Sequence, residues 1–113
     1  VSEALTLAVK NGADPALVYN AIRGGLAGST VLDAKAPMMM DHNFKPGFRI
    51  ELHIKDLNNA INAAHATSTS LPLTASVMEM MQALKNDGCG VEDHSALVRY
   101  YEKISNVSVE KKD

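Results

Sequence analysis

The sequence predicts a single all-α domain of five to six helices, and three observations predict it. Apolar residues recur at steps of three and four along most of the 113 residues. Asp, Ser, Thr or Pro precede these runs, and Gly or Pro follows them, which are helix start and stop signals. No segment alternates convincingly at period two, and no internal repeat or low-complexity tract divides the chain. The length suits one domain with a modest core. Trp is absent and aromatics make up 4 % of the chain, so that core must be filled mainly by Leu, Ile, Val, Ala and Met.

Taken in order, residues 1 to about 11 predict the first helix, with Leu5, Ala8 and Val9 inward and Gly12 as its stop. Asp14-Pro15 starts the second as N-cap and first-turn proline, and Gly24-Gly25 ends it. The turn Gly24-Gly25-Leu26-Ala27-Gly28-Ser29 follows a helix and has neither dinucleotide-fingerprint nor P-loop spacing, so it reads as an interhelix turn. Ser29 or Thr30 caps a short helix through Ala36, which Pro37 is expected to close. Met38-Met39-Met40 then suits irregular packing. Pro72 opens a later helix with Leu73, Val77, Met80, Met81 and Leu84 on its apolar face, and Gly88 stops it. Asp93 is expected to cap the last helix, with Leu97, Val98, Tyr101 and Ile104 inward. The domain is expected to span residues 1–106, with a frayed tail over 107–113.

The longest regular pattern lies between Phe48 and His65. Ile50, Ile54, Leu57, Ile61 and Ala64 form one apolar helical stripe. Glu51, Lys55, Asn58, Asn59 and Asn62 form a second, polar one. Asn is a poor mid-helix residue because its side chain competes for the backbone. The polar stripe therefore has two readings: a solvated face with a Glu51–Lys55 pair, or a face that offers amides and a cation to a ligand.

Several functions are excluded by composition and spacing. A net charge of −2 without a basic cluster argues against nucleic-acid binding. No apolar run approaches a membrane span. The single cysteine, Cys89, cannot form an internal disulfide and fits a reducing, cytoplasmic setting; in its Gly-Cys-Gly loop it reads as unreactive. His42, His53, His65 and His94 show no metal-ligand spacing, so no metal site is expected. His53 reads as a boundary residue of the central helix. The chain opens within a helical pattern and is expected to be a piece of a longer protein.

Lys55-Asp56-Leu57-Asn58-Asn59-Ala60 resembles the Lys-Asp-Leu-Gly-x-Ala-x-Asp signature of the β-hydroxyacid dehydrogenases, with Asn58 for the Gly and Asn62 for the final Asp. From Ser2-Glu3-Ala4 to Tyr100-Tyr101 the chain resembles the C-terminal helical domain of these enzymes, a domain type of the 6-phosphogluconate dehydrogenase-like and 3-hydroxyisobutyrate dehydrogenase-like proteins. The resemblance implies an NAD- or NADP-dependent reductase interconverting a small 3-oxo carboxylate and its hydroxy acid, tartronate semialdehyde to glycerate being the nearest fit. It implies a partner Rossmann domain that carries the cofactor's glycine loop, and a homo-oligomer. It places Lys55 at the cofactor, and Phe48 and Asp56 on the substrate side of the cleft. The family's general-acid lysine is expected upstream of Val1, so this piece alone is expected to be inactive. The competing reading is a free-standing helical module that dimerises through its Met-rich and apolar surface.

Overall fold

The computed structural model describes residues 1–112. Six α-helices follow one another: α1 (Ser2–Lys10), α2 (Pro15–Ile22), α3 (Thr30–Met40), α4 (Ile50–Ala66), α5 (Pro72–Leu84) and α6 (Val98–Ser105). A π turn (Lys85–Cys89) follows α5, and a 3-10 turn (His94–Leu97) leads into α6. Among the described residues there is no strand, only an isolated antiparallel bridge between Arg49 and Asp93. The chain divides into two compact units, one of Val1–Phe44 with the segment from Ser95 onward, the other of Lys45–His94.

In the first unit α1 packs mainly on α6 and α2. Asp14 caps α2 by accepting the Ala16 N–H at 2.9 Å, with Pro15 in the first turn. Ser29, not Thr30, caps α3, its hydroxyl accepting the Leu32 N–H at 3.0 Å. Contrary to expectation, Pro37 does not close α3, which continues to Met40. A proline there forfeits one backbone bond, but the helix resumes with Asp41 N–H donating to the Pro37 carbonyl at 2.9 Å. Burial of Ala36, Met39 and Met40 outweighs that loss, because packing supplies most helical stability.

Across α6 the inward face is rotated from the expected one. Val98 and Glu102 are buried, whereas Ile104 is exposed. The cause is the chain after α6, which does not fray over the described residues. Asn106 takes a left-handed conformation (φ 51°) and turns the chain back. Glu102 Oε2 then accepts the Val109 N–H at 2.7 Å and lies 2.8 Å from His42 Nε2. Val109 is fully buried, Lys111 N–H donates to the Met40 carbonyl at 2.8 Å, and its ammonium pairs with Asp41 at 2.7 Å. Asp113 lies outside the described residues. Glu102→Ala removes an acceptor shared by an imidazole and a backbone N–H, and is expected to cost about 2–3 kcal/mol. Limited proteolysis checks this: cleavage should begin after residue 106 in the variant and not in the parent.

The glycine turn before α3 is a packed feature. Gly28 N–H donates to the Gly25 carbonyl at 3.0 Å and Gly25 N–H to the Ile22 carbonyl at 3.2 Å, so both are spent on the turn itself. A Cβ on Gly28 would collide with the Arg23 backbone carbonyl, while one on Gly24 would meet nothing. Gly28→Ala is therefore expected to lower stability by about 1–3 kcal/mol through overpacking. Gly24→Ala should be near neutral, and thermal melting of the two variants checks the contrast.

In the second unit α4 packs on α5. Ile50 and Ala64 are buried, and Ile54, Leu57 and Ile61 half-buried, as the apolar stripe predicts. Met81 and Leu84 bury the distal half of α5, while Leu73 in its first turn is exposed. Periodicity gives the direction of that face but not where along the helix its cover begins. Gly88, inside the π turn, takes φ 91°, a conformation that favours glycine.

Candidate functional site

The start of α4 is held by the segment just before residue 95, in an arrangement that fixes several functional candidates. Ile50 N–H donates to the Glu92 carbonyl at 2.9 Å and Glu51 N–H to the Gly90 carbonyl at 3.0 Å. These bonds satisfy two of the four orphan donors of a helix that has no side-chain cap. Asp93 is fully buried, and its Oδ1 accepts the N–H groups of Gly47 and Phe48, each at 3.0 Å. The expectation that Asp93 caps the last helix is thus corrected: it organises the loop into α4, because two convergent backbone donors meet its carboxylate there. His94 N–H closes the clasp on the Phe48 carbonyl at 2.9 Å.

Phe48 is thereby fixed through its backbone while the residue stays 37 % exposed. The ring stands edge-on to two imidazoles, His53 at 5.9 Å and His94 at 6.5 Å between centroids, and those two lie 5.3 Å apart. This aromatic cluster is not apparent in the sequence, since His53 and His94 belong to different segments with no ligand spacing between them. The only signal is that His94 follows Asp93 directly.

Lys55 and Asp56 both project from the exposed face of α4. Lys55 Nζ lies 3.5 Å from Asp56 Oδ1, with the two side chains 66 % and 46 % exposed. Adjacent positions about 100° apart can therefore still meet through a long lysine stem. An ion pair this exposed contributes little, so the ammonium can leave it at small cost. The Glu51–Lys55 pair of the solvated-face reading does not form; the Arg49 guanidinium, 3.1 Å away at the N-cap, pairs with Glu51 instead. Glu51, Ile54, Lys55 and Asn58 line one wall of an open groove of about 430 Å³, and Met78, Glu79 and Gln82 of α5 line the other. Asn59 and Asn62 of the polar stripe are exposed.

The remaining histidines are apart from this site. His42 is engaged with Glu102, and His65 is exposed in the last turn of α4, where the helix dipole favours a cation. Among the described residues no three His, Cys, Asp or Glu side chains gather to hold a metal. Nor is any helix long and apolar enough to cross a membrane.

The Lys-Asp-Leu signature thus lies on α4 of an all-helical chain, and comparison with known proteins tests the resemblance that it carries. The family described as NAD-binding of NADP-dependent 3-hydroxyisobutyrate dehydrogenase matches residues 1–101. The chain belongs to this 3-hydroxyisobutyrate dehydrogenase family. Among relatives, the 2-hydroxy-3-oxopropionate reductase of Escherichia coli is 44 % identical over 94 % of this chain and 36 % of its own length. The 2-(hydroxymethyl)glutarate dehydrogenase of Eubacterium barkeri is 33 % identical over 96 % of this chain and 36 % of its own. A crystal structure of 3-hydroxyisobutyrate dehydrogenase from Salmonella typhimurium superposes with a TM-score of 0.82 at 26 % identity, over 87 % of this chain and 34 % of that one. The chain thus spans about a third of the length of the relatives it matches.

Proposed function

We propose that this chain is the C-terminal helical domain of an NAD(P)-dependent reductase that interconverts a small 3-oxo carboxylate and its hydroxy acid, with 2-hydroxy-3-oxopropionate (tartronate semialdehyde) the nearest substrate. The observation that carries the reading is the exposed, weakly committed Lys55 ammonium on α4, beside Asp56 and on the same element that Phe48 leads into. A flexible ammonium suits phosphate or ribose oxygens, to which it can swing as a point charge. When bound, the nicotinamide cofactor supplies the hydride that reduces the carbonyl carbon. Lys55 would hold the cofactor from the helical side, while Phe48 and Asp56 would border the substrate. The general-acid lysine and the glycine loop would come from the Rossmann portion of a longer, cytoplasmic protein. Docking of the two parts would then assemble the site.

Self-association is part of the same reading. Leu17, Leu26 and Val31 are exposed in the first unit, and association would remove such apolar area from water. Light scattering is expected to show a dimer or larger species at micromolar concentration; a persistent monomer would contradict it. The enzymatic reading is tested by following cofactor oxidation with 2-hydroxy-3-oxopropionate. The chain joined to a Rossmann domain should turn over, and the 113-residue chain alone should not. Turnover by the chain alone, or none by the joined protein with any small 3-oxo carboxylate, would contradict it.

A further inference from the structure

The geometry points to His53 as the group that sets specificity on the substrate side, donating an imidazole N–H to a carboxylate seated against Phe48. This inference rests on the proposed placement of Phe48 and Asp56 beside the substrate, and it adds a residue that neither the signature nor the comparisons assign.

Three features lead there. His53 is half-buried on α4, and among the described residues its ring has aromatic neighbours but no hydrogen-bonding partner. It precedes Asp56 by three residues, so the two side chains leave the helix about 60° apart, one turn from each other. Its ring is held in place: Phe48 meets it edge-on at 5.9 Å and His94 lies 5.3 Å away. Those two rings are in turn anchored through the Asp93 and Phe48–His94 backbone bonds.

Such an arrangement fits a carboxylate. Imidazole carries an N–H donor in either tautomer and two when protonated. A donor beside an apolar ring, partly shielded from water, binds an anion more strongly than one in bulk solvent. Two imidazoles without a third ligand do not make a closed metal site. The ligand class is a short hydroxy or oxo acid whose carboxylate reaches His53 while its carbonyl or carbinol end extends towards the Asp56 side of α4.

The test uses nitrogen-labelled histidine in the chain joined to a Rossmann domain, with tartronate as the probe and dimethyl tartronate as its uncharged control. Tartronate is expected to shift the His53 imidazole resonances saturably, and the diester to leave them unmoved. His53→Phe keeps a ring against Phe48 and His94 but removes both nitrogens. It should leave the amide spectrum folded and weaken tartronate binding about tenfold to a hundredfold, the loss of one hydrogen bond to a charged group. Absence of a saturable shift, or tartronate binding unchanged in His53→Phe, overturns the inference. NADH and NADPH added to the same sample report separately on the cofactor side. Shifts around Lys55 that vanish in Lys55→Ala, with His53 silent to tartronate, would sink this inference and leave the cofactor reading standing. The converse pattern would sink the cofactor reading alone.

Discussion

Asp93→Ala is expected to produce the largest loss of stability of any single substitution at the site, about 2–4 kcal/mol. The side chain is fully buried and its Oδ1 receives two backbone N–H groups at 3.0 Å. Truncation leaves both donors without their acceptor and replaces a carboxylate by a cavity. For a domain of this size the melting temperature should fall by roughly 10–20 °C. Asp93→Asn keeps an oxygen where the two donors converge and is expected to lose less. The functional consequence is local, because the same bonds fix Phe48 and, through its carbonyl, His94. Near-ultraviolet circular dichroism alongside the melt should therefore show a loosened Phe48 environment in Asp93→Ala, even below its transition. A melt unchanged within a degree or two would mean that another group supports this loop.

Lys55→Ala is expected to have the largest effect on function and almost none on the fold. The side chain is two-thirds exposed and its only ion pair among the described residues, with Asp56, is 3.5 Å long, so its loss should cost at most about 0.5 kcal/mol of stability. If the ammonium meets the cofactor, a charge-assisted hydrogen bond worth about 1.5–3 kcal/mol disappears. Cofactor affinity and turnover in the joined protein should then drop about tenfold to a hundredfold. Glu51→Ala is the control: it breaks the Arg49–Glu51 pair on the same helix but keeps the ammonium. Equal kinetics in the two variants would reduce the polar stripe to a solvated face.

The sequence made the helices legible wherever local chemistry decides them. Asp14-Pro15, Ser29 and Pro72 mark helix starts because caps and first-turn prolines act over two or three residues. The stripe from Ile50 to Ala64 stands out because one face of one long helix is buried. What was not legible depends on residues distant in the chain. Pro37 reads as a stop until the burial of Met39 and Met40 is known to carry the helix past it. Asp93 has good capping chemistry, and nothing local reveals that its donors lie some forty-five residues earlier. The tail looks too polar to order, and its docking rests on partners distant in the chain: Glu102 for the Val109 N–H, and the Met40 carbonyl and Asp41 for Lys111. Of the proposed site, Lys55 and Asp56 come from the signature and Phe48 from the wider family resemblance. The placement of His53 beside His94 required the fold.

The central claim is that the exposed face of α4 closes on a nicotinamide cofactor, and a crystal structure of the joined protein with NAD(P) bound tests it most directly. The account predicts Lys55 Nζ released from Asp56 and within hydrogen-bond distance of a phosphate or ribose oxygen of the cofactor, with Phe48 and Asp56 at the nicotinamide end. A cofactor bound without approach to α4, with Lys55 still paired to Asp56 in solvent, would contradict it.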